Sequence, residues 1–113
     1  MLTPSGWYLA VKPVDLRFGV DRLLAMVADV LGHDARAGGA YLFRNRTGTR
    51  IKVLCLDAQG VWLSTRRLHE GSFHWPRAED AVWALSTEQF EWLCAGVNWQ
   101  RLSGKLSALP ALV

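Results

Sequence analysis

The middle of the chain alternates between apolar and polar residues, and turn signals interrupt the alternation at regular intervals. The segment from Tyr41 to Pro76 is divided by Thr47-Gly48-Thr49, by Asp57-Ala58-Gln59-Gly60 and by Glu70-Gly71. Because successive side chains of a strand point to opposite faces, this period of two predicts β-strands, and the Gly and Asp residues predict tight turns. The predicted strands form an antiparallel meander over Tyr41 to Arg46, Arg50 to Leu56, Val61 to Leu68 and, as a short fourth strand, Ser72 to Trp75.

The segments that flank the meander favour one further strand and several helices. Gly6 to Lys12 alternates loosely and predicts a short first strand. Apolar residues three or four positions apart predict a helix from about Phe18 to Leu31. We expect Arg77 to Ala84 to form one or two helical turns. Ser86-Thr87-Glu88-Gln89 has the capping-box pattern of a helix start, and this last helix should end at Gly96.

These elements predict an α+β fold: an antiparallel β-meander packed on one face by an N-terminal helix, with a helical C-terminal third. A chain of 113 residues has the size of one ordinary domain. We expect residues 1–103 to form a single globular domain, in which Trp99 packs back on the core. Residues 104–113 show little periodicity and are predicted to be a frayed tail.

Positive charge is concentrated in the predicted meander. From Arg36 to Arg67 there are seven cations and one anion, Asp57, so this window carries +6 while the whole chain carries +3. A solvated strand face would normally mix charges of both signs. This segregation therefore predicts a surface that meets a polyanion.

The strand register decides whether these cations share one face. A three-residue loop from Thr47 to Thr49 would pair Arg46 with Arg50 and Arg44 with Lys52. A bulged second loop, with Gly60 in the left-handed region, would pair Lys52 with Arg66. Five cations would then face solvent together, and an apolar set would face the helix: Tyr41, Phe43, Ile51, Val53, Cys55 and Leu63. Because side chains alternate between the two faces of a strand, Arg67 is predicted to lie on the apolar face. The predicted nucleic-acid-binding residues are Arg44, Arg46, Arg50, Lys52, Arg66 and Arg67.

No group of residues has the spacing of a catalytic or metal site. His69-Glu70 and His74 resemble a zinc motif, but the two histidines are five positions apart in a strand-turn region, whereas the motif needs four on a helix. The Asp residues show no cluster of the kind that a two-metal nuclease requires. Cys55 and Cys94 lack CxxC spacing and lie in apolar runs, which predicts buried free thiols. We therefore predict no enzyme activity, no metal and no cofactor.

Hydropathy predicts a soluble, cytoplasmic protein without a membrane partner. The N-terminal residues MLTPSGWYLAVKP lack the basic region followed by an apolar core that a signal peptide has. No apolar run approaches the roughly 20 residues that cross a bilayer.

Three blocks of the sequence resemble a known family, the TnpB-type accessory protein encoded by the second open reading frame of insertion sequences of the "sixty-six" family. The first is Asp15-Leu16-Arg17-Phe18-Gly19-Val20-Asp21, which leads into Leu23-Leu24 and Val27. The second begins with Phe43-Arg44-Asn45-Arg46 and Arg50-Ile51-Lys52-Val53-Leu54 and continues through Asp57, Gly60, Arg67-Leu68, Gly71 and Phe73 to Pro76. The third is Leu85 to Gln89 followed by Trp92-Leu93, Gly96 and Trp99. The resemblance implies a protein that assists transposition beside a separate catalytic transposase and has no active site of its own.

Two hypotheses for the molecular role follow. In the first, the arginines bind duplex DNA at insertion-sequence ends or at the target. In the second, the protein is an adaptor that docks on the transposase through a Trp-rich surface and never contacts DNA; that surface would include Trp83, Trp92 and Trp99. Unpaired arginines on the sheet favour the first hypothesis. Arginines neutralised by Asp or Glu, together with an exposed Trp patch, favour the second.

Overall fold

The computed structural model describes residues 4–77 and 79–101 and has a mixed α+β architecture. Its elements follow in the order β1 (Trp7–Ala10), α1 (Val20–Asp29), β2 (Ala40–Arg44), β3 (Arg50–Leu56), β4 (Val61–Arg67), β5 (Val82–Leu85) and α2 (Thr87–Cys94). A single turn of 3₁₀-helix, Ala35–Ala37, precedes β2. The predicted tail, 104–113, lies outside the described residues.

The five strands form one sheet in the order β4-β3-β2-β1-β5. The strands β2, β3 and β4 make the predicted antiparallel meander. β1 pairs in parallel with β2, because the chain crosses over through α1 between them, and β5 pairs antiparallel with the other side of β1. The sheet therefore extends beyond the meander by two strands.

Two predicted elements are wrong. Ser72 to Trp75 is not a fourth meander strand but an irregular segment: the Phe73 N–H donates to the Gly48 carbonyl at 2.7 Å, and Trp75 Nε1 donates to the Ala10 carbonyl at 2.9 Å. Within Arg77 to Ala84, Val82 begins the strand β5 instead of a helical turn. Four residues are too few to show a period, and the unpaired edge of β1 supplies the hydrogen bonds that make this segment extended.

Both faces of the sheet are covered. On one face α1 buries Leu23 and Val27 against Tyr41, Phe43 and Leu54. The other face packs against α2 and the residues that follow it; its core includes Leu9, Leu42, Ile51, Leu93 and Trp99. We expected the meander to be packed on one face only, and the second layer explains why four consecutive residues of β2 are buried.

The helix boundaries follow the sequence signals closely. The predicted capping box is present: Ser86 Oγ accepts from the Gln89 N–H at 3.1 Å, and Gln89 Oε1 accepts from the Ser86 N–H at 2.8 Å. After α2 the chain turns at Gly96, whose φ of +77° lies in the left-handed region that favours glycine. In the part of the chain that is described, no helix has the length and apolar character to span a membrane.

Candidate nucleic-acid interface

The β2–β3 hairpin has a register that differs by one residue from the prediction. Arg44 faces Ile51, not Lys52, and the loop runs over the four residues 46–49. The side chain of Asn45 is the cause, because its Oδ1 accepts from the backbone N–H groups of Thr49 and Arg50 at 3.0 and 3.1 Å. The Asn45 N–H in turn donates to the Arg50 carbonyl, so Asn45 takes the place opposite Arg50 that was predicted for Arg46.

The β3–β4 hairpin is also shifted by one residue. Leu56 faces Val61, and Lys52 faces Thr65 instead of the predicted Arg66. Asp57 closes the loop, since its Oδ1 accepts from the N–H groups of Gln59 and Gly60 at 2.9 and 2.8 Å. Gly60 does not have a positive φ, so the predicted bulge is absent.

These shifts separate the predicted basic residues onto two faces. The pairing places Arg44 and Arg66 on the α2 side of the sheet, and Arg50, Lys52 and Arg67 on the α1 side. Arg46 lies in the loop. The predicted single basic face is therefore wrong, and so is the predicted apolar set, because Ile51, Val53 and Cys55 turn away from α1.

The antiparallel connections nevertheless bring all six cations to one end of the sheet. This end is formed by the end of β2, the loop that follows it, the start of β3 and the end of β4. We call it the basic end, and it consists of Arg44, Arg46, Arg50, Lys52, Arg66 and Arg67. The six residues thus lie at one end of the sheet and not on the single face that was predicted.

Among residues 4–77 and 79–101, no acidic side chain forms an ion pair with the basic end. Among the described residues, ion pairs join Arg17 to Asp15 at 2.7 Å and Arg36 to Asp34 at 3.1 Å, and neither pair includes a basic-end residue. In both pairs the hydrogen-bonded guanidinium lowers the pKa of the carboxyl group, that of Asp15 to about 2. Within the basic end, Arg50 and Arg67 lie directly opposite each other in the β3–β4 ladder.

We expect the substitution Arg67→Thr to raise the free energy of unfolding by a few tenths of a kcal/mol, because like charges facing each other across strands destabilise a sheet. Thr is also a good strand former. Chemical denaturation at low and at high salt measures the effect, which should shrink when salt screens the repulsion. The exposed Arg17, which has a carboxylate partner, supplies the control Arg17→Thr, for which no gain is expected. A gain for Arg67→Thr that is unchanged at high salt would contradict the repulsion.

Arg44 differs from the other five because its guanidinium is partly buried. Its Nη2 donates to the Val11 carbonyl at 3.4 Å and its Nη1 to the Arg46 carbonyl at 3.5 Å, while its Nε is buried without a partner. Burial lowers the pKa of Arg44. The side chain lines a cavity of about 350 Å³ together with His74 and Arg77. Sequence reasoning missed Arg77, because its segment was predicted to be helical.

Arg66 and Lys52 lie on opposite faces of the sheet and have different neighbours. Arg66 is exposed, and its Nε donates to the Cys94 carbonyl at 2.7 Å, which places a cation at the C-terminal end of α2. Lys52 is half-buried and lines a shallow cavity of about 440 Å³ with Asn45, Arg50 and Arg17. Arg46, Arg50 and Arg67 are exposed as well.

The described residues offer neither a metal site nor a reactive thiol. No three His, Cys, Asp or Glu side chains within residues 4–77 and 79–101 could jointly hold a metal ion. Cys55 and Cys94 are both free, as predicted; Cys55 is buried and Cys94 half-buried. Burial raises the pKa of both thiols, that of Cys94 to about 11, so neither is a ready nucleophile at neutral pH.

Comparison with known proteins identifies relatives over nearly the whole chain. Residues 5–104 match the family described as IS66 Orf2 like protein. Two similar proteins come from Sinorhizobium fredii (strain NBRC 101917 / NGR234). The uncharacterized protein y4hO is 36% identical over 103 residues, which are 88% of this chain and 90% of y4hO. The uncharacterized protein y4jC is 34% identical over 105 residues, 93% of this chain and 90% of y4jC. No solved structure matches.

Proposed function

Since the chain belongs to the IS66 Orf2-like family of insertion-sequence proteins, we propose that it is a non-catalytic accessory protein of transposition that binds duplex DNA through the basic end. One observation carries the proposal. Six cations from three strands and a loop meet at one end of the sheet, and no carboxylate of the described residues pairs with any of them.

The chemistry of the basic end suits phosphate. Five of its six cations are arginines, whose planar guanidinium can donate two parallel hydrogen bonds to a phosphate group. Arg46, Arg50 and Arg67 are exposed and form no side-chain hydrogen bond with the described residues. The repulsion between Arg50 and Arg67 destabilises the folded state. A phosphate bound by both side chains would reduce this repulsion.

The adaptor hypothesis receives less support from the same structure. Of the three C-terminal tryptophans that it invoked, Trp99 is buried and Trp92 is half-buried, and both belong to the core on the α2 side. Only Trp83 is exposed, at 37%. These residues therefore do not form the broad aromatic surface that a docking site for the transposase would need.

Fluorescence anisotropy with a labelled duplex of the insertion-sequence end, across a salt series, tests the proposal. With the four exposed arginines on phosphates and Lys52 at their margin, log affinity should fall with log salt with a slope of about −4, from roughly −0.9 per contact. A random duplex of the same length should bind with similar affinity, because phosphate contacts carry no sequence information. If the protein binds neither duplex at low salt but co-purifies with its transposase, the adaptor hypothesis replaces this one.

A further inference from the structure

The strand β4 is an open edge of the sheet. It pairs with β3 on one side only, and no strand of the described chain covers its other side. Val61–Arg67 is a long edge for so small a sheet, and six of its seven residues are exposed. Val61 and Trp62 are large apolar residues that remain 42% and 50% exposed. An edge of this kind offers unpaired N–H and C=O groups to another strand.

The hydrogen-bond pattern of the β3–β4 hairpin shows which backbone groups of β4 face the open edge. The Leu68 N–H donates to the Thr49 carbonyl at 3.1 Å, and the Asp57 N–H donates to the Gly60 carbonyl at 2.9 Å. Bonded pairs alternate along an antiparallel ladder, so Trp62, Ser64 and Arg66 direct their backbone groups toward β3. The backbone groups that face the open edge are consequently those of Val61, Leu63, Thr65 and Arg67.

We propose that β4 pairs with β4 of a second copy of this chain, antiparallel and centred on Ser64. In this register all four outward residues find partners: Val61 pairs with Arg67 of the other copy, and Leu63 pairs with Thr65. Each such pair exchanges two backbone hydrogen bonds, so the whole edge is satisfied. A register centred on Arg66 would place two arginines opposite each other, which destabilises a sheet.

Side-chain complementarity selects a second copy as the occupant of the edge. With Ser64 at the centre, Arg66 of each copy lies opposite Trp62 of the other, on the same face of the joined sheet. Trp62 Nε1 donates to Asp57 Oδ2 at 2.8 Å, so an aromatic ring and a carboxylate stand together at that position. The Arg66 Nε donates to the Cys94 carbonyl of its own chain, so the two terminal Nη groups of Arg66 bind the ring and the carboxylate, through cation–π attraction and through charge. One half of β4 therefore supplies the cation, Arg66, and the other half supplies its binding site, Trp62 with the neighbouring Asp57.

The substitution Thr65→Pro tests the pairing without touching the hairpin. It removes an N–H that faces the open edge, and proline is tolerated in edge strands where the N–H faces outward. By sedimentation velocity over a wide range of concentrations, we expect the unaltered protein to reach twice the chain mass and Thr65→Pro to remain at the monomer mass. The control Thr65→Ala keeps the N–H and should still dimerise. Circular dichroism establishes that each variant is folded.

The substitution Ser64→Cys tests the register independently of proline. The two Ser64 residues would form a non-hydrogen-bonded pair with Cα atoms about 4.5 Å apart, within the range of a disulfide. Mild oxidation should therefore yield a covalent dimer on a non-reducing gel. In the control Thr65→Cys, the two Cα atoms would be about 8 to 9 Å apart, too far for a disulfide, and the protein should stay uncrosslinked.

Three results would overturn the proposal. One is an unaltered protein that stays monomeric at every concentration. Another is a folded Thr65→Pro variant that dimerises as well as the unaltered protein, since the interface would then lie elsewhere. The third is a monomer that binds its transposase and loses that binding with Thr65→Pro, which would assign the edge to a strand of the transposase. DNA binding by the basic end is measured separately. Because Arg66 binds the other copy in the proposed dimer, a dimer would show a salt slope about 0.9 shallower than four exposed arginines give.

Discussion

Replacing Trp99 with alanine should lower the free energy of unfolding by about 3 to 5 kcal/mol, the range for removing a large aromatic side chain from a core. Trp99 is only 1% exposed and belongs to the core on the α2 side of the sheet. Its Nε1 donates to the His74 carbonyl at 2.6 Å, and its ring meets that of Trp83 edge-on with centroids 6.0 Å apart. Through this hydrogen bond, Trp99 connects the residues after α2 to the irregular segment before β5.

Denaturation in guanidinium chloride, followed by circular dichroism, measures this loss. The variant Trp99→Phe is a matched comparison, because it keeps an aromatic ring in the core but removes the donor to the His74 carbonyl. It should cost about 0.5 to 1.5 kcal/mol, the net contribution of an intramolecular hydrogen bond to stability. A loss below about 1 kcal/mol for Trp99→Ala would mean that this core forms without the segment after α2.

Replacing Arg46, Arg50 and Arg67 together with alanine should weaken DNA binding by about 10² to 10³-fold near 0.1 M salt, since each lost phosphate contact forfeits the release of nearly one counterion. The salt slope should become shallower by about 2.7 for the same reason. These three side chains are exposed and form no side-chain hydrogen bond with the described residues, so their removal should leave the fold intact. Arg44 is unsuitable for this test because its guanidinium is partly buried.

A second triple variant separates the basic end from the overall charge. Replacing Arg22, Arg36 and Arg101 with alanine removes the same number of charges from exposed positions outside the basic end. This control should bind DNA with nearly the affinity of the unaltered protein and with the same salt slope. Equal weakening in both triple variants would show that binding follows net charge and not the basic end. Loss of sequence preference with an unchanged slope would show that the arginines contact base edges.

Much of the fold was predictable from local signals because those signals act within a few residues. The spacing of the apolar residues predicts a helix from about Phe18 to Leu31, and α1 lies within these bounds, over Val20–Asp29. The capping box at Ser86 begins α2 where predicted. The period of two and the turn residues located β2, β3 and β4 to within one or two residues at their ends. In each case the side chains that specify the element belong to the element itself or to its immediate neighbours.

The family, the α+β class and the segregation of charge into the meander were determined by the sequence itself. Only the tertiary structure decided how the cations are arranged. Bonds from Asn45 and Asp57 to the backbone lengthened one hairpin loop and removed the bulge from the other, and a shift of one residue sends a side chain to the opposite face. The strand β5 likewise exists because β1, more than seventy residues earlier, offers it an edge. The β1–β5 pairing joins residues that are too far apart along the chain for a local pattern to predict. The bonds from Asn45 and Asp57 span at most five residues, and they select one of several hairpin turns that the same turn residues allow.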